Sequence, residues 1–330
     1  MKLNSNSIII VSGEPYSVFF ELFFKTLTNK EIKNYNKPLI LIGSKNLLIK
    51  QMKKLKYSFK IRIIDENLIN KIKLDNKKIN LIDVKFNFKK TFDKISIKSS
   101  NYIEKCFSKG IKLIKKKIGI ALINGPISKK HFLYKKFPGV TEYLGSKFNK
   151  RQHEVMLIYN EKLSVSPITT HLPLKDVSKK ITKKKIIHNV KLINNFYTKK
   201  LNFKPRFAVT GLNPHCETHK KFNEEDKIIK PAIKHLLKKK IFIDGPFPAD
   251  TIFLKKNLKK YDVIIGMYHD QVLTPIKTIF GFNAINVTLG LPIIRISPDH
   301  GPNNQMLGKN KSNPQSLKKA LNFLKKICAN

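Results

Sequence analysis

The chain has 330 residues, 41% of them hydrophobic, and its 66 Lys and Arg against 22 Asp and Glu residues give a formal net charge of +44 at pH 7. This length and apolar content suit one large α/β unit or two domains that share a cleft, and they exclude a disordered chain. No apolar run approaches the roughly 18 to 20 residues that cross a bilayer, and residues 1–7 lack the basic-then-apolar layout of a secretory signal. We therefore expect a cytoplasmic protein without a membrane partner.

The first third of the chain alternates between predicted strands and helices. Its apolar runs have the length of strands and are mostly rich in β-branched residues: 8–11, 39–42, 61–64, 81–84 and 118–123. The stretches 18–26 and 102–116 are amphipathic at helical spacing. This alternation is typical of an α/β fold with a parallel sheet.

The remaining two thirds continue the pattern. Further strands are predicted at 155–159, 163–168, 207–210, 263–267 and 285–289, and helices at 176–197, 224–239 and 315–327. Asn223, which precedes three acidic residues, is a suitable N-cap for the second of these helices. We find no internal repeat. We expect a middle domain, 126–295, inserted between segments 1–125 and 296–330 that rejoin, because ligand loops then face each other across a cleft.

The positive charge taken alone would indicate a nucleic-acid-binding protein. However, the lysines are spread through every segment and do not form one patch interleaved with aromatic residues. The chain is also rich in Asn, Ile, Lys and Phe and has no Trp, a bias that compositional drift of a whole genome would produce. We therefore expect a solvated basic surface rather than a nucleic-acid partner, and DNA binding measured across a salt series would test this.

Three histidines occupy the same position relative to a predicted strand. His171, His215 and His269 each follow one within five residues. The C-terminal ends of parallel strands share one edge of a sheet, so these imidazoles can converge although about 50 residues separate them in sequence. Three neutral imidazoles with an open position suit zinc, and also cobalt, nickel or iron(II). The spacing lacks the local specificity of HExxH, so a structural or surface role for each histidine stays open.

Polar neighbours could orient these rings. Thr170, Asn213 and Asp270 lie beside or near the candidate ligands and could accept an imidazole N–H. Asp270 could equally cap the turn into the next segment. Cys216 follows His215 and stays open as an additional ligand, although the odd cysteine count and the absence of a CxxC pair indicate neither a disulfide framework nor a thiolate zinc site.

A second group has the character of an anion-binding site. Lys277, Asn286 and Arg295 lie on or beside the segments that follow His269. Arg295 can hold a phosphate or carboxylate with two N–H groups, and Lys277 adds a point charge. Because the chain overwhelmingly uses Lys, an Arg inside the apolar stretch 291–296 indicates a geometric requirement. No Gly-x-Gly-x-x-Gly, Walker A or Gly-x-Ser-x-Gly sequence occurs, so those dinucleotide, nucleotide and hydrolase sites are not predicted.

Long sequence blocks around these residues resemble the 4-hydroxythreonine-4-phosphate dehydrogenase (PdxA) family of vitamin B6 biosynthesis. In chain order they are NGPISK (124–129), TEYLGSKF (141–148), TTHLPLKDV (169–177), GLNPH (211–215), GPFPADT (245–251), YDVIIGMYHDQ (261–271) and NVTLGLPIIRISPDHG (286–301). Several of them are long enough to be highly specific, and they follow the family's order.

The resemblance implies a two-domain α/β/α sandwich of the isocitrate and isopropylmalate dehydrogenase type, with mostly parallel sheets. It also implies a homodimer with active sites in the cleft and at the subunit interface. A divalent metal, Zn, Mg or Co, would be bound by His171, His215 and His269. Substrate contacts are implied for Thr141, Asp250, Asp270, Lys277, Asn286 and Arg295. For an NAD or NADP cofactor the matching loop contains Asp299, His300, Gly301 and Gly308.

The chain also departs from the family pattern. Val140 stands where the family has a histidine that contacts substrate, which removes a hydrogen-bond donor. Near the N-terminus, Gly13-Glu14-Pro15 matches only the first part of the family's Gly-Asp-Pro-Ala-Gly-Ile-Gly, with Glu in place of Asp. Residues 302–308 replace the family's Thr-Ala-x-Asp-x-Ala-Gly, which weakens the match of the cofactor loop.

The implied reaction is the NAD(P)-linked, metal-dependent oxidation of 4-phosphooxy-L-threonine, a small phosphorylated amino acid. Its β-keto acid product, 2-amino-3-oxo-4-phosphooxybutanoate, decarboxylates to 3-amino-2-oxopropyl phosphate on the way to pyridoxal phosphate. Three alternatives stay open: a related dehydrogenase with another phosphorylated or diol substrate, a catalytically weakened paralogue, and a basic nucleic-acid-binding protein.

Overall fold

The computed structural model describes residue 4 and residues 6–33, 35–133, 137, 139–148, 154–218, 222–281, 283–298 and 301–328. Two compact units make up the chain: unit 1 is Met1–Gln152 with Leu291–Lys325, and unit 2 is His153–Gly290 with Lys326–Asn330. The middle segment is thus 153–290, whereas the sequence predicts 126–295. The difference arises because Tyr143 and Leu144 are buried in the hydrophobic core of unit 1, and Leu291 packs against that core.

The strands are numbered in chain order. They are β1 (Ser7–Val11), β2 (Leu39–Gly43), β3 (Ile61–Ile63), β4 (Ile79–Asp83), β5 (Gly119–Asn124), β6 (Val155–Tyr159), β7 (Ser164–Thr169), β8 (Phe207–Thr210), β9 (Ile243–Phe247), β10 (Val263–Tyr268), β11 (Ile285–Leu289) and β12 (Ile294–Pro298).

The α-helices are numbered in the same way. They are α1 (Phe19–Leu27), α2 (Lys30–Lys33), α3 (Lys45–Lys54), α4 (Ser100–Lys115), α5 (Val140–Lys147), α6 (Val177–Lys180), α7 (Lys183–Lys200), α8 (Lys230–Leu237), α9 (Ala249–Ile252), α10 (Lys255–Leu258), α11 (His269–Phe280) and α12 (Gln315–Ile327). Among the described residues, none of the helices combines the length and the apolar character that crossing a membrane requires.

The sheet of unit 1 has the strand order β3-β4-β2-β1-β5-β12, and every pair in it is parallel. All residues of β1 and β2 are buried. A parallel strand needs a continuous apolar run because helices cover both faces of such a sheet. The carboxyl ends of these strands, including that of β5 at Asn124, therefore lie at one edge of the unit.

The sheet of unit 2 has the strand order β11-β6-β7-β10-β8-β9. Strand β6 runs antiparallel to β11 and β7, whereas β7, β10, β8 and β9 are parallel to one another. The loops that follow β7, β10, β8 and β9 consequently leave from the same edge.

The predicted α/β class with mostly parallel sheets is confirmed. The strand predictions agree with the structure within a few residues because buried parallel strands are continuous apolar runs bounded by polar or Gly-containing turns. The helix predicted at 176–197 is interrupted: α6 ends at Lys180, and the side chain of Thr182 accepts a hydrogen bond from the Lys185 amide to begin α7.

Three elements that contain Gly or Pro, namely β9, β12 and α11, were not predicted from the sequence. Strand β9 includes Gly245 and a cis Gly245–Pro246 peptide, and β12 ends in Pro298. Helix α11 carries Pro275 inside it. Proline removes a backbone donor and normally ends regular structure, so tertiary packing has overridden local preference in all three elements.

Candidate active site

The three histidines follow neighbouring strands of unit 2. His171 comes two residues after β7, His215 five residues after β8, and His269 directly after β10. Strand β10 lies between β7 and β8 and is parallel to both. The three histidine-bearing loops therefore leave one edge of one sheet, which is the placement that the sequence predicts.

His171 and His269 lie close together. Their ring centroids are 5.8 Å apart and their ring planes are inclined by 38°. The strand ends that carry them are joined by a hydrogen bond of 2.7 Å from Thr169 Oγ1 to the Met267 carbonyl oxygen. Zinc–nitrogen bonds are about 2.0 to 2.1 Å long, so two rings at this separation can approach one ion from different sides.

Asp270 fixes the proton position on His269. The Nδ1 atom of His269 lies 2.6 Å from Asp270 Oδ1, and a carboxylate can only accept, so Nδ1 carries the hydrogen. The Nε2 lone pair of His269 is then available to a ligand, which is the arrangement found in carboxylate–histidine–metal groups. Asp270 lies in the first turn of α11, where the helix dipole favours a negative charge.

His215 lies on a tight exposed turn, Pro214–Cys216. It has φ of 54° and Cys216 has φ of 64°, so two consecutive non-glycine residues adopt the left-handed conformation. Within the described part of the chain, no group of three or more His, Cys, Asp or Glu side chains could hold a metal ion. The structure thus pairs His171 with His269, and it leaves the His215 ring at the same edge but outside that pair.

Cys216 is poorly suited to bind a metal in this structure. Burial raises the pKa of its thiol, and the nearby carboxylate of Glu225 raises it further, although the backbone of Gly211 acts in the opposite direction. The thiolate is the form that binds metals, so a protonated Cys216 makes a weak ligand.

The remaining candidate residues of unit 2 have different surroundings. The Asn213 side-chain amide donates to Glu224 Oε2 at 3.0 Å and to Glu225 Oε2 at 2.9 Å, so it holds carboxylates rather than an imidazole. Asp250 in α9 and Lys277 in α11 are exposed. Asn286 in β11 has a buried side-chain oxygen that accepts no hydrogen bond from a described residue. A ligand N–H or O–H could satisfy that oxygen.

Unit 1 contains a buried cation beside neutral polar groups. Arg295, 3% exposed, donates from Nε to Asn124 Oδ1 at 2.8 Å and from a terminal nitrogen to Thr141 Oγ1 at 3.4 Å. Burial lowers the pKa of Arg295 to about 10, although the charge of Glu142 raises it. The guanidinium therefore stays positive at neutral pH, and the structure brings Arg295 next to Thr141, two of the residues for which the resemblance implies substrate contacts.

Comparison with known proteins assigns the chain to a family. The sequence model described as "Pyridoxal phosphate biosynthetic protein PdxA" matches residues 34–324. This chain belongs to the PdxA family. A 4-hydroxythreonine-4-phosphate dehydrogenase from Sulfurihydrogenibium sp. (strain YO3AOP1) is 36% identical over 318 residues, which are 95% of this chain and 96% of that protein.

Other PdxA relatives match over similar lengths. The protein named 4-hydroxythreonine-4-phosphate dehydrogenase from Wigglesworthia glossinidia brevipalpis is 34% identical over 323 residues, 96% of this chain and 95% of that protein. A crystal structure of 4-hydroxythreonine-4-phosphate dehydrogenase from Klebsiella pneumoniae, 26% identical, superposes with a TM-score of 0.81 and covers 98% of this chain and 99% of that one.

The departures from the PdxA pattern have distinct surroundings. Val140, the first residue of α5, packs against the hydrophobic core of unit 1 and offers no side-chain donor. Of the predicted cofactor residues, Asp299 and His300 lie outside the described residues, and Gly301 is exposed. Gly308 has φ of 76°, and a Cβ there would be 2.9 Å from Phe92 Cδ2, so close packing and a left-handed backbone already require glycine.

Two polar residues of this PdxA site were not singled out from the sequence. Gln271 and Glu225 hydrogen-bond to the strand end and loop that precede His215, and Gln271 also bonds to the Met267 amide. Gln271 is the last residue of the YDVIIGMYHDQ block, and its place in a block that matches the family could have marked it as a site residue. Glu225 belongs to the acidic run at 224–226, which looks like an ordinary first helical turn.

A buried carboxylic acid lies at the carboxyl edge of unit 1. Glu14, 1% exposed, follows β1, and its amide donates to the Pro126 carbonyl oxygen at 2.9 Å. Gly13 has φ of 72°, and a Cβ there would be 2.5 Å from Pro126 O, so this close approach requires glycine. Burial raises the pKa of Glu14 to about 7, and neither of its carboxyl oxygens accepts a hydrogen bond from a described residue.

Glu14→Gln is expected to stabilise the protein in alkaline but not in acidic solution. A carboxyl whose folded pKa is raised from 4.5 to about 7 binds its proton more tightly in the folded state. Its ionisation therefore costs nothing below pH 4.5, grows as the pH rises, and above pH 7 reaches on the order of 3 kcal/mol, at 1.36 kcal/mol per pKa unit. Denaturant unfolding at pH 4, 6 and 8 would measure this, and a difference between variant and wild type that does not depend on pH would contradict it.

Proposed function

We propose that this protein is an NAD(P)-dependent, divalent-metal-dependent dehydrogenase that oxidises 4-phosphooxy-L-threonine. The observation that carries the proposal is the His171–His269 pair, with Asp270 on the outer nitrogen of His269, at the carboxyl edge of a PdxA-family chain. Relatives that match almost the full length of the chain bear the name of this activity.

By the chemistry of their side chains, the three histidines suit a divalent ion of borderline softness, and His171 and His269 already lie side by side. His171, His215 and His269 would hold it, and neutral imidazoles favour zinc or cobalt over magnesium, which prefers oxygen ligands. When bound, such an ion supplies Lewis-acid chemistry, because it lowers the pKa of a coordinated hydroxyl and polarises a carbonyl group. Asp270 keeps the proton of His269 on Nδ1 and so presents Nε2.

The cationic and amide groups would bind the charged ends of the substrate. Arg295 and Lys277 would take the phosphate and carboxylate, with hydrogen bonds from Thr141 and Asn286. Arg295 is held by Asn124 before any ligand arrives, so little side-chain entropy is lost on binding. Anchoring remote from the reacting carbon can orient that carbon for hydride transfer. Asp250 stays as a further candidate for substrate contact, whereas the side chain of Asn213 is bound to Glu224 and Glu225.

The reaction balances without a further reactant. The secondary alcohol loses a hydride to NAD(P)+ and a proton to solvent, so a C–H and an O–H bond break and a ketone forms. The product, 2-amino-3-oxo-4-phosphooxybutanoate, is a β-keto acid and loses carbon dioxide to give 3-amino-2-oxopropyl phosphate, a step in pyridoxal phosphate biosynthesis.

The loop containing Asp299, His300, Gly301 and Gly308 would bind the nucleotide. We also propose that the enzyme is a cytoplasmic homodimer with active sites at the subunit interface.

An absorbance assay of NAD(P)H formation tests this function. Protein stripped of metal with a chelator is mixed with 4-phosphooxy-L-threonine and NAD+ or NADP+, and zinc, cobalt or magnesium is then restored. We expect no NAD(P)H without metal and turnover with zinc or cobalt. Absence of NAD(P)H with every metal and both nucleotides would show that the proposed reaction is wrong.

Val140 favours one second candidate, a related dehydrogenase with another phosphorylated or diol substrate. An apolar residue packed against the core replaces a polar contact at this position, so one hydrogen bond to the substrate is lost. If a cis-diol reduces NAD(P)+ with a higher kcat/KM than 4-phosphooxy-L-threonine in the same assay, this second candidate is favoured.

A further inference from the structure

The turn that carries His215 is strained and must be held by its surroundings. His215 and Cys216 both have positive φ angles, 54° and 64°. Non-glycine residues in this conformation persist only where neighbouring structure determines it. On one side the Gly211 amide donates to the Phe247 carbonyl oxygen of β9 at 2.9 Å, which fixes the start of the loop.

Glu225 holds the same loop with a buried carboxylate. It is 0% exposed, and its Oε1 accepts from the Leu212 amide at 2.7 Å and from the Asn213 amide at 2.8 Å. Its Oε2 accepts from the Asn213 side chain at 2.9 Å. Gly211 allows this approach, because a Cβ there would be 3.0 Å from Glu225 Oε1 and 2.7 Å from Cys216 Sγ.

Gln271 ties this loop to the strand before His269. Its side-chain oxygen accepts from the Met267 amide at 2.7 Å and from Thr210 Oγ1 at 2.8 Å. Its side-chain nitrogen donates to the Gly211 carbonyl oxygen at 2.8 Å. One amide, two residues after His269, therefore bonds to the end of β10, the end of β8 and the first residue of the His215 loop.

We propose that Glu225 and Gln271 are positioning residues that together form a clamp on the 211–215 loop and set where the His215 imidazole lies relative to His269. Neither side chain is proposed to touch the metal or the substrate. The clamp rests on the proposed function in one respect, namely that these histidines bind a metal ion.

The two members of the clamp do different things. Glu225 satisfies the loop's own donors, so its loss leaves the amides of Leu212 and Asn213 without their acceptor and lets the strained turn relax. Gln271 sets the spacing between two strand ends, so its loss lets the His215 loop move relative to β10. Residues that orient metal ligands in this way typically affect metal affinity by about 10- to 100-fold.

Cobalt(II) titration of wild type, Glu225→Ala, Glu225→Gln and Gln271→Met tests the clamp, since the visible absorption of bound cobalt reports the geometry of its ligands. The matched control is Tyr197→Phe. Its hydroxyl donates to Ser164 Oγ at 2.7 Å in the same unit, at the end of β7 opposite His171. That variant loses one buried hydrogen bond without touching a histidine loop. Melting temperatures of all variants are measured in parallel.

We expect Glu225→Ala and Gln271→Met to bind cobalt about 10- to 100-fold more weakly than wild type and to shift its visible band. Glu225→Gln should lose less, because its amide oxygen can still accept from both backbone amides. Tyr197→Phe should melt at a lower temperature but keep wild-type cobalt binding.

Wild-type cobalt affinity and spectrum in Glu225→Ala or in Gln271→Met would overturn the clamp, as would an equal loss of affinity in Tyr197→Phe. A wild-type protein that binds no cobalt would overturn it together with the histidine site. If wild-type protein binds cobalt but forms no NAD(P)H from 4-phosphooxy-L-threonine, the substrate assignment is wrong, and the cobalt titrations still decide the clamp.

Discussion

Arg295→Met is expected to lower kcat/KM for 4-phosphooxy-L-threonine by about 30- to 5,000-fold, because removing one partner of a buried charged contact costs about 2 to 5 kcal/mol and each 1.36 kcal/mol is tenfold in rate. The side chain is 3% exposed, and its pKa of about 10 keeps it charged at neutral pH. An anion that reaches Arg295 meets a positive charge that little water screens, in the field of the nearby Glu142 carboxylate.

Arg295→Lys separates charge from geometry. Lysine keeps the positive charge but loses the planar fork that Asn124 and Thr141 hold in place, so we expect a kcat/KM between those of wild type and Arg295→Met. The loss should fall mainly on KM if Arg295 binds substrate and transition state equally well.

The control for this series is Arg206→Met. Arg206 pairs with Asp262 at 3.0 Å on the surface of unit 2, beside the start of β10, away from the strand ends that precede the histidines. We expect wild-type kinetics for it. Thermal unfolding is measured in parallel, because Arg295→Met removes the donor to the buried Asn124 Oδ1 and is expected to lower the melting temperature as well. A kcat/KM within threefold of wild type for Arg295→Met would remove Arg295 from the anion site.

His215→Ala is expected to abolish both metal retention and turnover. The loss of one of three protein ligands should weaken zinc binding by more than the roughly 10- to 100-fold that follows removal of a residue that merely orients a ligand. His215 is exposed on its turn, so the substitution should leave the melting temperature of the metal-free protein nearly unchanged. Zinc content after dialysis, measured per chain by mass spectrometry, and NAD(P)H formation are the two readouts.

His235→Ala provides the matched comparison. His235 lies in the last turn of α8 and not in a loop that follows a histidine-bearing strand, so His235→Ala should keep full zinc content and full activity. A His215→Ala protein that retains one zinc per chain through dialysis and turns over normally would show that His171 and His269 bind the ion without it.

Strand ends were predictable from the sequence because they depend on local patterns. The apolar runs before His171, His215 and His269 end where polar or turn residues begin, and parallel pairing then puts the three loops at one edge. The order β7-β10-β8, with the His269 strand in the middle, was not predictable, because strand order depends on packing between distant segments.

The contacts that hold the site were less accessible to sequence reasoning. Asp270 was singled out as a neighbour of His269, and a hydrogen bond to that ring is present. Glu225 was indistinguishable from any acidic residue in a first helical turn, because its bonds to Leu212 and Asn213 form only when the segment before α8 meets the loop that follows β8. The burial of Glu14 likewise depends on tertiary packing around Pro126.

Because β7, β10 and β8 are direct neighbours in the sheet, the spacing of the three histidine-bearing strand ends does not depend on how long the connecting segments are or on their composition. Neighbouring strands are held about 4.8 Å apart by backbone hydrogen bonds, whatever number of residues lies between them in the chain. The lysine-rich helices α7 and α8 lie in these connections and contribute to the net charge of +44. Mutational drift can therefore accumulate in the connecting helices while the three strand ends keep their spacing.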